Sequence, residues 1–276
     1  MISVHFFTKF FSIQTFSGLT AYRQIRSFEE RLVMHLNGVK RPNVHVVILK
    51  VWIGIISMVK GVKRLEKLKK NLERKNTAVI VVDVQNDYCH PDGAIAKSGS
   101  DVSAVKGMMP SLRSLLDAAR EHSVPIIFLQ TNHEKATDSE VWLSRFPDGV
   151  NPICKTGSWG AEFFKIAPQS DDIIVKKHRY SGFVHTRLES ILRTLKIETL
   201  ILTGVSTNLC VESTARDGFM LDYRIVLMKD ACAAFSQEEH DMTLKTVDTY
   251  FGMVADTEEV ISFWQMHVTQ SPQLMT

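Results

Sequence analysis

The chain has 276 residues, 45% of them hydrophobic and 23% charged, with a formal net charge of +3. This is the composition of an ordinary globular protein, long enough for one large domain or two small ones. The positive charge is local: between Lys60 and Lys75 eight Lys/Arg face only Glu66 and Glu73, a stretch of +6 that leaves the rest at −3. That distribution argues against a general nucleic-acid binder.

Residues 1–75 read differently from the remainder. The first 28 residues are aromatic and basic and poor in acids, in the manner of a transit peptide or signal anchor. Residues 44–59 are apolar apart from Lys50, shorter than the ~20 residues a spanning helix needs. Followed by the basic stretch, residues 44–75 could anchor at a membrane surface. The favoured reading is instead an N-terminal extension, helical or poorly ordered, without function. The main domain is expected at 76–265, with a tail at 266–276.

From Thr77 onward short apolar runs alternate with amphipathic segments. Strands are predicted at 77–84, 125–131, 172–177, 199–204, 224–230 and 252–257, and helices at 110–122, 186–196 and 238–251. Continuous apolar strands between amphipathic helices imply a mainly parallel six-stranded sheet buried on both faces, a three-layer α/β/α fold. In such sheets functional groups gather at the carboxyl ends of the strands. Asp83 closes the first strand, Lys177 the third, and Cys210 follows the fourth, so all three belong to one edge.

Cys210 is expected in the first turn of a helix after the turn GVSTN (204–208). A free thiol is only about 3% ionised at pH 7, and a helix N-terminus favours the thiolate. A lone cysteine is more often a buried structural residue, and here the company of Asp83 and Lys177 weighs against that. A thiolate can attack an amide carbonyl, an aspartate can carry the proton, and a lysine can stabilise both anions. The cysteines Cys89, Cys154, Cys210 and Cys232 lack zinc-like spacing, and their scatter suits reduced thiols of a cytoplasmic protein.

The motifs DVQNDY (83–88), KHRYSGF (177–183) and GVSTNLCVESTARDGF (204–219) make the chain, from about Thr77 to Glu259, similar to the isochorismatase-like cysteine hydrolases. The resemblance implies a catalytic set of Asp83, Lys177 and Cys210, and a cis peptide joining Val205 to Ser206. It also implies an oxyanion hole from the N–H groups of Ser206 and Cys210, and a homo-oligomer. The presence of Cys210 points to an amide-bond hydrolase rather than a vinyl-ether hydrolase. Nicotinamidases of this family bind zinc through an Asp-x-His pair; here Thr131 stands two positions before His133, so neither metal nor cofactor is expected.

The run 179–223, with GSW (157–159) and TYFGMV (249–254), is especially similar to the ureidoacrylate amidohydrolases. The implied substrate is a small ureido or carbamoyl compound cleaved through a thio-acyl intermediate with ammonia release, in pyrimidine degradation. Biuret or N-carbamoyl hydrolysis is the neighbouring alternative, and a non-catalytic binding protein the alternative of another class. Residues 131–133 depart from the subgroup's Asn-Gly-Trp.

Candidate substrate contacts are Asn132, Trp159, Arg179, Tyr180 and Ser181. Arg179 could equally pair with Glu212 or Asp217, and Trp159 could equally cap the core. Gln85 and Asn86 read as supports for the turn after Asp83.

Overall fold

The computed structural model describes residues 76–266 together with Arg64, Glu66, Leu68, Asn71 and Leu72. The apolar run 44–59, most of the basic stretch and residues 267–276 lie outside the described residues. The chain divides into two compact units, Met1–Leu68 and Lys69–Thr276. The second unit therefore begins ahead of the expected boundary at 76, and within it Asn71 Nδ2 donates to Met253 Sδ at 3.3 Å. Among the described residues no helix is long and apolar enough to cross a membrane.

Six strands form one sheet: β1 (Thr77–Val82), β2 (Ile126–Thr131), β3 (Ile173–Lys177), β4 (Thr199–Val205), β5 (Arg224–Ala233) and β6 (Gly252–Ala255). Their order is β3-β2-β1-β4-β5-β6, and every pairing is parallel. Side chains alternate across the sheet. Ala78, Ile80 and Val82 join Leu129, Leu200 and Leu202 in a core closed by Leu188, Leu192, Val211 and Ala215. The intervening Val79, Val81, Phe128 and Ile201 are fully buried too. Burial on both faces explains why these strands read as continuous apolar runs rather than as alternations.

The first three strands build outward in one direction from β1, and the last three in the other. The order reverses between β1 and β4, which is where ligands bind in open parallel sheets. Gly204 makes that junction close: at φ +103, a β-carbon there would lie 2.1 Å from the Val82 carbonyl oxygen. Only glycine fits both the backbone angle and the space.

Two helical predictions change. The segment expected from 110 is a longer helix, Ser103–Glu121, that runs through Pro110. Val105, Met108, Met109 and Leu112 form a buried stripe across the proline, and that packing outweighs its interior cost. A helix not expected from the sequence, Thr257–Met266, follows β6 and buries Trp264 completely.

Candidate active site

Asp83 leaves β1 with φ +50, a left-handed conformation that Asp tolerates better than most residues. Its backbone N–H donates to Leu129 O at 3.1 Å and its carbonyl accepts from Gln85 N at 2.7 Å. The side chain is completely buried. Oδ1 accepts from Thr131 Oγ1 at 2.8 Å, and Oδ2 lies 2.7 Å from Lys177 Nζ.

Lys177 ends β3, two strands away from β1, with Thr131 as its register partner on β2. Neighbouring strands are about 4.8 Å apart, so only a long side chain can cross the end of β2 to reach Asp83. The ammonium also donates to Arg179 O at 2.9 Å and is electrostatically coupled to the Cys210 thiol. Burial opposes its charge, but Asp83 and then Cys210 outweigh that penalty and hold its pKa above the ordinary lysine value.

Cys210 sits on a widened turn, Thr207–Val211, that runs into the helix Glu212–Met220. Val211 N donates to Ser206 O at 3.2 Å, a five-residue spacing of the kind often found at functional sites. The preceding Val205–Ser206 peptide is cis. Cys210 is 5% exposed, and its thiol is electrostatically coupled to Lys177 and Asp83. From the sequence alone the helix terminus is expected to favour the thiolate. Here burial pushes the thiol pKa well up, Lys177 pulls it down, and Asp83 adds to the rise, with the net far above the normal range. Desolvation wins because the thiol is inside the protein, so the neutral thiol is the favoured resting form.

Thr131 is the contributor that the sequence did not single out. Its N–H donates to Gln85 Oε1 at 2.8 Å, and its carbonyl accepts from Gln85 Nε2 at 2.8 Å. The same Nε2 reaches Ala161 O at 2.8 Å. Gln85 thus fixes Thr131, and Thr131 orients Asp83. Burial holds the pKa of the neighbouring Tyr88 well above the ordinary tyrosine value. Asn86 Nδ2 binds Trp159 O at 2.8 Å. Both Gln85 and Asn86 stabilise the surrounding turns.

The other predicted contacts divide. Asn132 N donates to Lys177 O at 3.0 Å, and its buried Oδ1 has no hydrogen-bond partner among the described residues. Ser181 Oγ accepts from Phe183 N at 3.1 Å. Arg179 pairs with neither Glu212 nor Asp217; it donates to Thr137 O at 3.1 Å and His178 O at 2.6 Å. Glu212 is held instead by Arg216 at 2.6 Å.

Trp159 is 46% exposed and packs edge-on to His90 at 5.1 Å. Trp142 is stacked on His133 at 5.2 Å and tilted against Tyr180 at 5.2 Å. His133 Nδ1 is engaged by Asp138 at 2.7 Å. Among the described residues no group of three or more His, Cys, Asp or Glu is disposed to hold a metal. Cys89, Cys154 and Cys232 are buried free thiols.

A family model described as the isochorismatase domain matches residues 77–259. The ureidoacrylate amidohydrolase RutB of Acinetobacter baylyi is 33% identical over 70% of this chain and 86% of its own length. The corresponding protein of Stutzerimonas stutzeri is 36% identical over 68% and 82%. A crystal structure of a cysteine hydrolase from Pseudomonas syringae pv. phaseolicola superposes with a TM-score of 0.65 at 32% identity, covering 71% of this chain and 95% of that one. With the same sheet, and with a cysteine, a lysine and an aspartate joined at its switch point, this chain belongs to the isochorismatase-domain family.

Proposed function

We propose that the chain is a cysteine amidohydrolase of ureidoacrylate type, cleaving a C–N bond of a small ureido substrate through a covalent thio-acyl intermediate. One observation carries this reading: the buried Asp83–Lys177 pair at 2.7 Å, with the Cys210 thiol electrostatically coupled to both members. The names of the relatives at 33% and 36% identity support the substrate class.

In the first half-reaction the Cys210 thiol proton passes to the Asp83 carboxylate as sulfur bonds to the ureido carbonyl carbon. The N–H groups of Ser206 and Cys210 receive the developing oxyanion. The C–N bond then breaks, and Asp83 returns the proton to the departing amine. Cys210 is left S-carbamoylated. In the second half Asp83 takes a proton from water, hydroxide adds to the carbamoyl carbon, and the sulfur leaves and recovers its proton. Carbamate departs and breaks down to carbon dioxide and ammonia.

Lys177 remains an ammonium throughout and offsets whichever of its two neighbours is anionic. Because the resting thiol is neutral, proton transfer and attack are coupled, and orientation of the acceptor carboxylate matters more than a standing population of thiolate.

The test is ammonia release from ureidoacrylate, biuret, N-carbamoyl amino acids and nicotinamide. Ureidoacrylate is expected to lead that panel. Cys210→Ala is expected to lower turnover by roughly 10^4-fold or more, with wild-type activity blocked by iodoacetamide and retained in EDTA. Turnover that survives Cys210→Ala contradicts the covalent route.

A further inference from the structure

Two arginines, one in the segment after β2 and one in the segment after β3, lie on one tryptophan. The Arg145 guanidinium lies 3.6 Å from the centre of the Trp142 ring, and that of Arg179 lies 5.0 Å from the same ring. Arg145 Nε donates to Trp142 O at 3.1 Å, and its Nη1 donates to the Tyr180 hydroxyl. Among the described residues neither guanidinium has an ion-pair partner. Asp138, on the same segment, is taken up by His133 at 2.7 Å. The indole Nε1 is buried, also without a partner among the described residues.

Two like charges sharing one ring repel each other, and stacking holds them together without neutralising either. An unsatisfied buried N–H beside them adds a further cost that a hydrogen-bond acceptor would remove. An anion with planar oxygens answers both deficits, and a guanidinium fork fits a carboxylate.

The cluster is joined to the catalytic groups by its backbone. Arg179 O accepts from Lys177 Nζ at 2.9 Å, and Asn132 N, next to His133, donates to Lys177 O at 3.0 Å. Tyr180 packs against the core cluster that includes Cys210.

We infer that Trp142, Arg145, Arg179 and Tyr180 form the site that holds the substrate's carboxylate, with Arg145 selecting ureido acids over neutral ureas and amides. This rests on the amidohydrolase reading for the identity of the substrate, but not for the binding of the anion. Biuret carries no carboxylate, so the same contacts discriminate against it.

The experiment is calorimetric titration of full-length Cys210→Ala protein with 3-ureidopropionate, a stable ureido acid, and with its neutral amide. The acid is expected to bind about ten- to a hundredfold more tightly, the range for hydrogen bonds to a charged group. Adding Arg145→Gln is expected to erase that preference, and Arg145→Lys to keep part of it. Arg145 is exposed, so neither change threatens folding.

Equal binding of acid and amide, no binding of the acid at millimolar concentration, or a preference that survives Arg145→Gln would each overturn the inference. A wild-type protein that releases no ammonia from any ureido compound, while the Cys210→Ala protein still prefers the acid, refutes the catalytic reading and leaves the anion site standing.

Discussion

The floor of the site and its rim are built on opposite terms. On the floor, Asp83 and Lys177 are 0% and 1% exposed at the side chain; Asp83 accepts from Thr131 at the neighbouring strand end, and Lys177 donates to Arg179 O. On the proposed rim, Trp142 of the helix Glu140–Leu143 holds Arg145 by ring stacking and one hydrogen bond, and Tyr180 supplies a second. Buried charge is tolerated only when every partner is in place, so the floor has few permissible side chains. An exposed guanidinium on an indole carries no such restriction.

The sharpest way to break this contrast is to remove a charge from the floor. Lys177→Met leaves Asp83 buried without its counter-ion, and a loss of about 3–5 kcal/mol in folding stability is expected, along with loss of activity. Urea denaturation of the variant against wild type measures it. A stability change as small as that of an exposed-charge variant on the rim would show that the two regions do not differ.

A smaller effect is expected from the hydroxyl that aims the carboxylate. Thr131→Val removes the 2.8 Å donor to Asp83 Oδ1 while keeping the shape of the side chain. A fall in kcat of about tenfold, with KM little changed and activity restored by Thr131→Ser, separates orientation of Asp83 from loss of packing. Equal losses in Val and Ser variants would assign Thr131 a structural part only.

The smallest effect concerns the thiols outside the site. Burial raises the pKa of Cys89, Cys154 and Cys232 well above the ordinary thiol value. Unfolded thiols ionise near about pH 8.5, whereas these stay protonated when folded. The stability tied to their neutral forms is complete below that pH and is lost as the pH climbs beyond it. The urea midpoint should therefore stay level through neutrality and fall above about pH 9; a flat profile there contradicts the burial of neutral thiols.

Asp83, Lys177 and Cys210 were readable as neighbours because each closes an apolar run, and parallel strands bring such ends to one edge. The sheet was readable for the same reason. Thr131 was not: its bond to Asp83 spans 48 positions, and no local pattern marks a threonine as the orienting partner of a distant carboxylate. Trp142 and Arg145 lie in a segment of little regular structure, where periodicity carries no signal.

The charge state of Cys210 was misjudged on local grounds, since the helix terminus is visible in sequence but the depth of burial is not. Pro110 misled in the same manner: the helix expected to begin at the proline starts at Ser103, because tertiary packing carries it through.

The fit of Gly204 against the Val82 carbonyl bears on how firmly the reaction centre is gauged. The proposed proton acceptor and nucleophile emerge from chains laced side by side, so the gap between them is inherited from the spacing of the sheet itself. A bulkier residue at that seam would widen the gap from beneath, leaving all of the reacting groups present yet out of reach of one another.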